Sequence, residues 1–199
     1  TDELGEIGCE HHRSTEIKTA AQYFTKWDSH APSRDVMAHE YTHAWNGKYR
    51  RGADSWTPSF DRPIRNSLMW VYEGQTQYWG NILSTRSGLW TLQQALDSLA
   101  RTAATYENRA GRRWRPMSDT TRDPIIASRS PLPWLSWQRS EDYYSEGQLM
   151  WLDIDTRIRE LSGDTRSLDD FARRFFGCAE GRGSAPTSTY DFDEVVQTL

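Results

Sequence analysis

"MAHEYTHAWNG", Met37 to Gly47, carries two histidines four residues apart with a glutamate beside the first. On a helix, His39 and His43 stand one turn apart on the same face, so both imidazoles reach a single ion. Glu40 is turned about 100° from His39, which points its carboxylate beside that ion rather than onto it. A general base for a water held on the metal belongs there. Neutral imidazole is a good ligand for Zn²⁺, and a catalytic zinc takes three protein ligands plus water. The competing reading is a surface helix that merely carries three polar residues.

The choice turns on a third ligand. The pattern H-E-x-x-H-x-x-G-x-x-H would need Gly at 46 and His at 49, where the chain has Asn46 and Tyr49. The other plan takes a glutamate from a following helix, and "LMWVYEGQTQYWG" supplies Glu73. A carboxylate flanked by Trp70, Val71, Tyr72 and Trp79 is expensive to bury unless paired or bound to a cation. Taken alone, Glu73 reads as a solvated acid on a polar stripe. Behind an upstream H-E-x-x-H it reads as the third ligand.

At 199 residues the chain is most simply one domain with a sizeable core. A net charge of −4 gives no general electrostatic reason to bind nucleic acid or anionic membrane. No apolar run approaches the ~20 residues of a membrane span, and nothing at the amino end reads as a signal peptide. The chain opens without Met and stops without a tail, so a piece of a longer protein is expected. Cys9 and Cys178 are too few for a disulfide framework and lack zinc-knuckle spacing. Two free thiols are expected, one bridge being the alternative. Ten Trp and nine Tyr require a substantial core or a ligand cleft.

The pattern is mostly helical. A first helix is expected from the cap Ser33, after Pro32, with Asp35 in its first turn and Asn46-Gly47 at its end. A second covers about Asn66 to Ser87, stopped by Gly88. Thr91 caps a third, in which Leu92, Ala95, Leu96, Leu99, Ala103 and Tyr106 recur at a helical period. Arg112 to Trp137, rich in Pro, Arg and Trp, reads as a long irregular connection. A fourth helix runs from about Ser140 to Leu161 and is closed by Gly163. "SLDD" at Ser167 to Asp170 resembles a capping box that opens a short helix through Phe176, ended by Gly177. A strand is expected around Glu6 to Arg13, and "EGRGSAPTST" at Glu180 to Thr189 reads as a small polar loop.

"HEYTHAWN", "LMWVYEGQTQYWGNIL", "DYYSEGQLMWLDIDTRIRE" and "SLDDFARRFFG", in this order and spacing, resemble the catalytic domain of the glycyl aminopeptidase family of zinc peptidases. That family belongs with the gluzincins, beside the alanyl and leukotriene-hydrolase aminopeptidases. The likeness runs from about Gly8 to Gly177. It implies a mainly α, thermolysin-like catalytic domain with a minor β or irregular portion at the N-terminal end. It also implies a β-rich domain before, a PDZ domain after, and export from a Gram-negative bacterium.

The aminopeptidase relatives place an oxyanion-donating Tyr in a Y-x-K-G stretch. "YYSEG" matches with Tyr144 and Gly147, but Glu146 replaces the Lys; Tyr143 is the fallback. Relatives hold the substrate's free amine with the Glu of a G-x-x-E-N or G-G-L-E-H segment. "IGCEHH" keeps Gly8 and Glu10, with Cys9 where Leu or Met is usual. The resemblance thus implies one Zn²⁺ on His39, His43 and Glu73, with Glu40 as base, Tyr144 as oxyanion donor and Glu10 on the α-ammonium. The expected reaction removes a small N-terminal residue, Gly or Ala, from a peptide through a metal-held water. Two alternatives stay open: a zinc endopeptidase without the amine contact, and a non-catalytic domain whose Trp-rich cleft holds a peptide or glycan. With three ligands assigned, His11, His12 and His30 are left outside the set, His11 lining the cleft; Gln77 is expected to orient a ligand. "GRRWRP" at Gly111 to Pro116 hints at nucleic acid, but the acidic balance favours a solvated loop or cleft rim. Trp134 and Trp137 either wall the pocket or pack.

Overall fold

The computed structural model describes residues 7–123, 133–177 and 187–199. Cys178 and most of the polar loop at 180–189 lie outside the described residues. The chain begins with an antiparallel pair, β1 (Ile7–Glu10) and β2 (Thr15–Lys18), registered Gly8 to Ile17 and Glu10 to Thr15. A 3₁₀ turn over Trp27–Ser33 leads into helix α1 (Asp35–Thr42), and a short strand β3 (Arg50–Gly52) follows. One turn of π-helix, Trp70–Gln75, runs directly into α2 (Thr76–Arg86). Then come α3 (Leu92–Glu107), α4 (Asp142–Ser162) and α5 (Leu168–Phe175). Strand β4 (Ser188–Tyr190) pairs in parallel with β3, and α6 (Phe192–Thr198) is the last helix. The architecture is mainly helical with a minor β element at the N-terminal end.

Several local expectations hold for the chemistry that motivated them. Thr91 and Gln94 form a reciprocal capping box at α3, and Ser167 with Asp170 forms another at α5. Helix α4 ends at Gly163 in the left-handed conformation, φ +60. Ser33, however, caps nothing: Pro32 lies inside the preceding 3₁₀ turn, and the Ser33 hydroxyl donates back to the His30 carbonyl. Arg34 flanks α1 instead, its buried guanidinium donating to the carbonyls of Leu89 and Trp27. Of the periodic apolar set on α3, Ala95 and Tyr106 are buried while Leu92 and Leu96 face solvent. The helix docks through Ala95 and Tyr106 with Leu99 half-buried, which leaves Leu92 and Leu96 outside its packing.

The core lies between the π-turn, α2, α4, α5 and the C-terminal β4–α6 unit. Leu68, Val71, Tyr78, Trp79, Trp151, Leu168, Phe171, Phe175, Phe176, Tyr190 and Val195 form one cluster. Trp151 is fully buried, stacks on Trp70 at 5.6 Å and donates its indole N–H to the Trp70 carbonyl at 2.7 Å. Buried aromatics of this size supply most of the area removed from water. They fix the π-turn against α4, and the opposite side of the π-turn and α2 is left for α1.

Two glycine contacts set how close the helices come. A Cβ on Gly80 of α2 would lie 3.3 Å from the His39 Cβ, so α1 and α2 meet almost at backbone contact. Gly74 in the π-turn faces Gly147 on α4, where a Cβ at 147 would lie 2.9 Å from the Gly74 Cα. Such a clash is with backbone and has no flexible side chain to yield. Gly147→Ala is therefore expected to destabilise the fold, because an overpacking cost of ~1–3 kcal/mol outweighs the gain of up to ~1 kcal/mol in helix propensity. Denaturant unfolding checks this; an unchanged or raised midpoint would contradict the close approach.

Candidate metal centre

Helix α1 puts His39 and His43 on its buried face, and the π-turn delivers Glu73 to the same point. The Nε2 atoms of the two histidines are 3.1 Å apart. Oε2 of Glu73 lies 3.3 Å from the His39 Nε2 and 3.2 Å from the His43 Nε2. All three residues are buried. His43 Nδ1 is 2.8 Å from the Asn46 main-chain oxygen, which only accepts. Nδ1 therefore carries a proton, so that the ring in its neutral form turns a bare lone pair on Nε2 toward His39 and Glu73. Three electron-pair donors thus converge in a buried site.

That arrangement fits a metal ion. Ligands at 2.0–2.1 Å in a tetrahedron are about 3.3 Å from one another, close to the three edges observed. Without an ion, positive charge has to come from protons: burial disfavours imidazolium at His43, but the Glu73 carboxylate beside it draws its pKa above the ordinary value. Burial alone would raise Glu73, yet its hydrogen bonds with the two histidines and their charge hold it down to about 2. The three residues form a group that could hold a metal ion.

Glu40 faces the site from the same helix. Burial pushes its carboxyl above the usual range; Glu10 and Glu73 add to this while the two imidazoles oppose it. Its Oε2 is buried with no hydrogen-bond partner among the described residues. Space for it comes from Gly8 on β1, where a Cβ would fall 2.1 Å from Glu40 Oε1. One carboxylate oxygen of Glu10, one of Glu40 and a ring nitrogen of His43 all lie within 4.8 Å of one another. Glu10 is therefore at the edge of the same centre. Its Oε1 accepts from the Tyr72 hydroxyl at 2.5 Å and lies 3.5 Å from Lys48 Nζ. Burial would raise Glu10, but the Tyr72 hydrogen bond, His43 and Lys48 outweigh it and keep the carboxylate ionised.

The Tyr144 ring lies over His39 at 6.1 Å, nearly parallel. Burial, then the negative charge of Glu73, drives its pKa well above the ordinary phenol value, so the hydroxyl keeps its proton and donates. Tyr143 is buried beside it, the two rings tilted against each other at 5.0 Å. The six site residues singled out from the sequence are therefore brought to one place by β1, α1, the π-turn and α4.

Other expectations need correction. Gln77 donates to Asp35 at 2.9 Å, not to a metal ligand, because α2 turns it toward the start of α1. His11 is exposed beside Glu16 on the hairpin, 3.5 Å away, rather than lining the cleft. The Arg-rich run is largely exposed, at Arg112, Arg113, Trp114 and Pro116, but it is tied to the fold: Arg112 pairs with Glu146, and Arg115 binds the Gln138 carbonyl and Asp123. Trp114 and Trp137 tilt against each other at 5.9 Å, while Trp134 is largely exposed.

Sequence reasoning missed Asn46. Fully buried just beyond His43, its side-chain amide donates to the Val71 carbonyl at 2.7 Å, to Thr76 Oγ1 at 3.0 Å and to the Tyr72 carbonyl at 3.2 Å. One residue thus orients the His43 ring through its carbonyl and pins the π-turn that presents Glu73. Its only signal in the sequence was an Asn at the end of the metal helix, which reads equally well as a helix stop.

A family model described as M61 glycyl aminopeptidase matches residues 33–150. The chain belongs to that family, and the match spans α1, the π-turn and the first turns of α4, where the His39, His43, Glu73 and Tyr144 side chains originate. No curated protein matches the chain. Among solved structures, an aminopeptidase N family protein from Idiomarina loihiensis is similar, with a TM-score of 0.64 and 22% identity. That likeness covers 97% of this chain and 36% of the other; it is a likeness of fold, and the chain spans about a third of that protein's length. Among the described residues no helix is long and apolar enough to cross a membrane.

Asn46→Ala should lower Zn²⁺ affinity about 10- to 100-fold, the usual effect of removing a group that orients metal ligands. Competition with a chromophoric chelator measures this; an unaltered dissociation constant would mean that Asn46 does not hold the ligands in place.

Proposed function

We propose that this domain of the M61 glycyl aminopeptidase family is a zinc-dependent aminopeptidase that removes the N-terminal residue from peptides. The observation that carries the reading is the convergence of His39, His43 and Glu73 in a buried site, with Glu40 alongside and Glu10 within reach. Residues His39, His43 and Glu73 would hold one Zn²⁺, which when bound supplies a Lewis acid that polarises the scissile carbonyl and makes water acidic near neutral pH.

The protein groups then divide the remaining work. Glu40, free of competing hydrogen bonds at Oε2, accepts the proton of the attacking water and delivers it to the leaving amine. Its burial-raised carboxyl suits both transfers, since a base poised nearer to neutrality is also a competent acid. Tyr144 keeps its proton and donates to the oxygen on which negative charge develops. Glu10, ionised and half-buried, pairs with the substrate's α-ammonium, which limits cleavage to the first peptide bond. The preference for a small residue such as Gly or Ala at that position is what the family resemblance implies. The likeness to an aminopeptidase N family protein supports the exopeptidase reading at the level of fold.

One observation favours a second reading. Lys48 already stands 3.5 Å from Glu10, so the carboxylate has a cation partner before any substrate arrives. A zinc endopeptidase would use the same centre without the amine contact.

Zinc-loaded protein assayed on Gly- and Ala-initiated peptides, free and N-acetylated, separates the two. The aminopeptidase reading expects turnover of free peptides only, loss of that selectivity in Glu10→Ala, and nearly complete loss of kcat with retained zinc in Glu40→Gln. Equal cleavage of acetylated peptides would favour the endopeptidase. Absence of turnover on every peptide would leave the fold as a binding domain.

A further inference from the structure

Tyr144 stands on the first turn of α4, and the segment entering that helix is the most strained in the described chain. Trp134, Arg139 and Glu141, none of them glycine, have φ of +63, +60 and +46. Arg139 is the extreme case: with ψ of 154 it occupies a region that is essentially reserved for glycine. Such a backbone persists only where its surroundings over-determine it.

Here the surroundings are a buried ion network. The Arg139 side chain is 2% exposed. Its Nε donates to Asp142 Oδ2 at 2.8 Å, one Nη donates to the Arg115 carbonyl at 2.6 Å, and the other pairs with Glu146. Its stem lies against Gly111, where a Cβ would come within 2.6 Å of the Arg139 Cγ. Asp142 is completely buried and takes a second guanidinium, Arg109, at 2.5 Å, and the Tyr106 hydroxyl at 3.2 Å. Glu146 takes Arg112 at 2.7 Å. Asp142 and Glu146 flank Tyr144, two residues before it and two after.

The position of Glu146 gives this network its interest. The Y-x-K-G pattern has a lysine there, and an acid in its place, one turn from the buried Asp142, needs neutralising charge. The Arg-rich connection supplies the neutralising charges, and in doing so ties down both sides of the helical turn that presents the phenol.

We propose that Arg139 is a positioning residue for Tyr144, clamping Asp142 and Glu146 so that the first turn of α4 aims the Tyr144 hydroxyl into the metal centre. The inference rests on the reading of Tyr144 as the oxyanion donor. It differs from a purely structural role in one respect: the clamp matters to catalysis only through the Tyr144 hydroxyl.

A double-mutant cycle tests this on zinc-loaded protein, with kcat, KM, zinc content and thermal midpoint read for each variant. Arg139→Gln is expected to lower kcat about 10- to 100-fold, as misplacement of a catalytic group by an ångström does, with KM and zinc content nearly unchanged. Arg139→Lys should recover part of that loss. In the Tyr144→Phe background, Arg139→Gln should cost little more, because the hydroxyl it aims is gone. An additive loss in kcat, or a kcat unaltered by Arg139→Gln, overturns the inference. If Arg139→Gln does not fold, Glu146→Gln, whose side chain lies nearer the surface, replaces it in the same cycle and the same two results decide. Full activity of Tyr144→Phe by itself would sink both this inference and the reading beneath it; a Tyr144→Phe variant of lowered but measurable kcat with an additive cycle would sink this inference alone.

Discussion

Three buried electron-pair donors drawn to within 3.1–3.3 Å of one another are a liability unless positive charge lies between them. Lone pairs that close in a site shielded from water repel, and each was stripped of hydration to get there. The rest of the domain can be understood as what holds that arrangement together. Helix α1 supplies two donors from a single turn, and Gly80 lets α2 approach until the third arrives. The Gly74–Gly147 contact then brings α4, and with it Tyr144, to the same centre.

The π-turn is central to this geometry. Its i→i+5 bonding widens the helix locally and rotates Glu73 relative to the α-helical continuation. Asn46 braces the turn with its side-chain amide, donating to the carbonyls of Val71 and Tyr72 and to Thr76. The same residue's main-chain oxygen orders the His43 ring. The two ligand-bearing elements are therefore coupled through one buried amide, while the aromatic cluster around Trp151 keeps the π-turn from moving away from α4.

Much of this was legible in the sequence because the relevant rules are local. Spacing of four places two imidazoles on one face, Thr91 and Ser167 announce their helices, and Gly163 announces an end. Glu73 was legible only in combination, since a lone glutamate among aromatics has a bland reading. What escaped was set by tertiary contact. Nothing local distinguishes Ser33 in a 3₁₀ turn from a helix cap, or Asn46 as a bracket from Asn46 as a stop. Gln77 lies at the right spacing to reach a ligand yet bonds Asp35. The strand β4 and helix α6 went unforeseen because a parallel pairing across some 140 positions leaves no periodic trace in so short a segment. The arginines of the long connection read as solvated because their partners, Asp142 and Glu146 among them, are far off in the chain.

Two groups of buried charge meet near the first turn of α4: Glu73 with the two imidazoles, and the guanidinium groups that neutralise Asp142 and Glu146. The central claim is tested most directly by anomalous diffraction at the zinc edge from crystals of the zinc-loaded protein. The account predicts one strong peak within about 2.0–2.2 Å of His39 Nε2, His43 Nε2 and a Glu73 carboxylate oxygen. A peak held by other side chains, or none at saturating zinc, would contradict it.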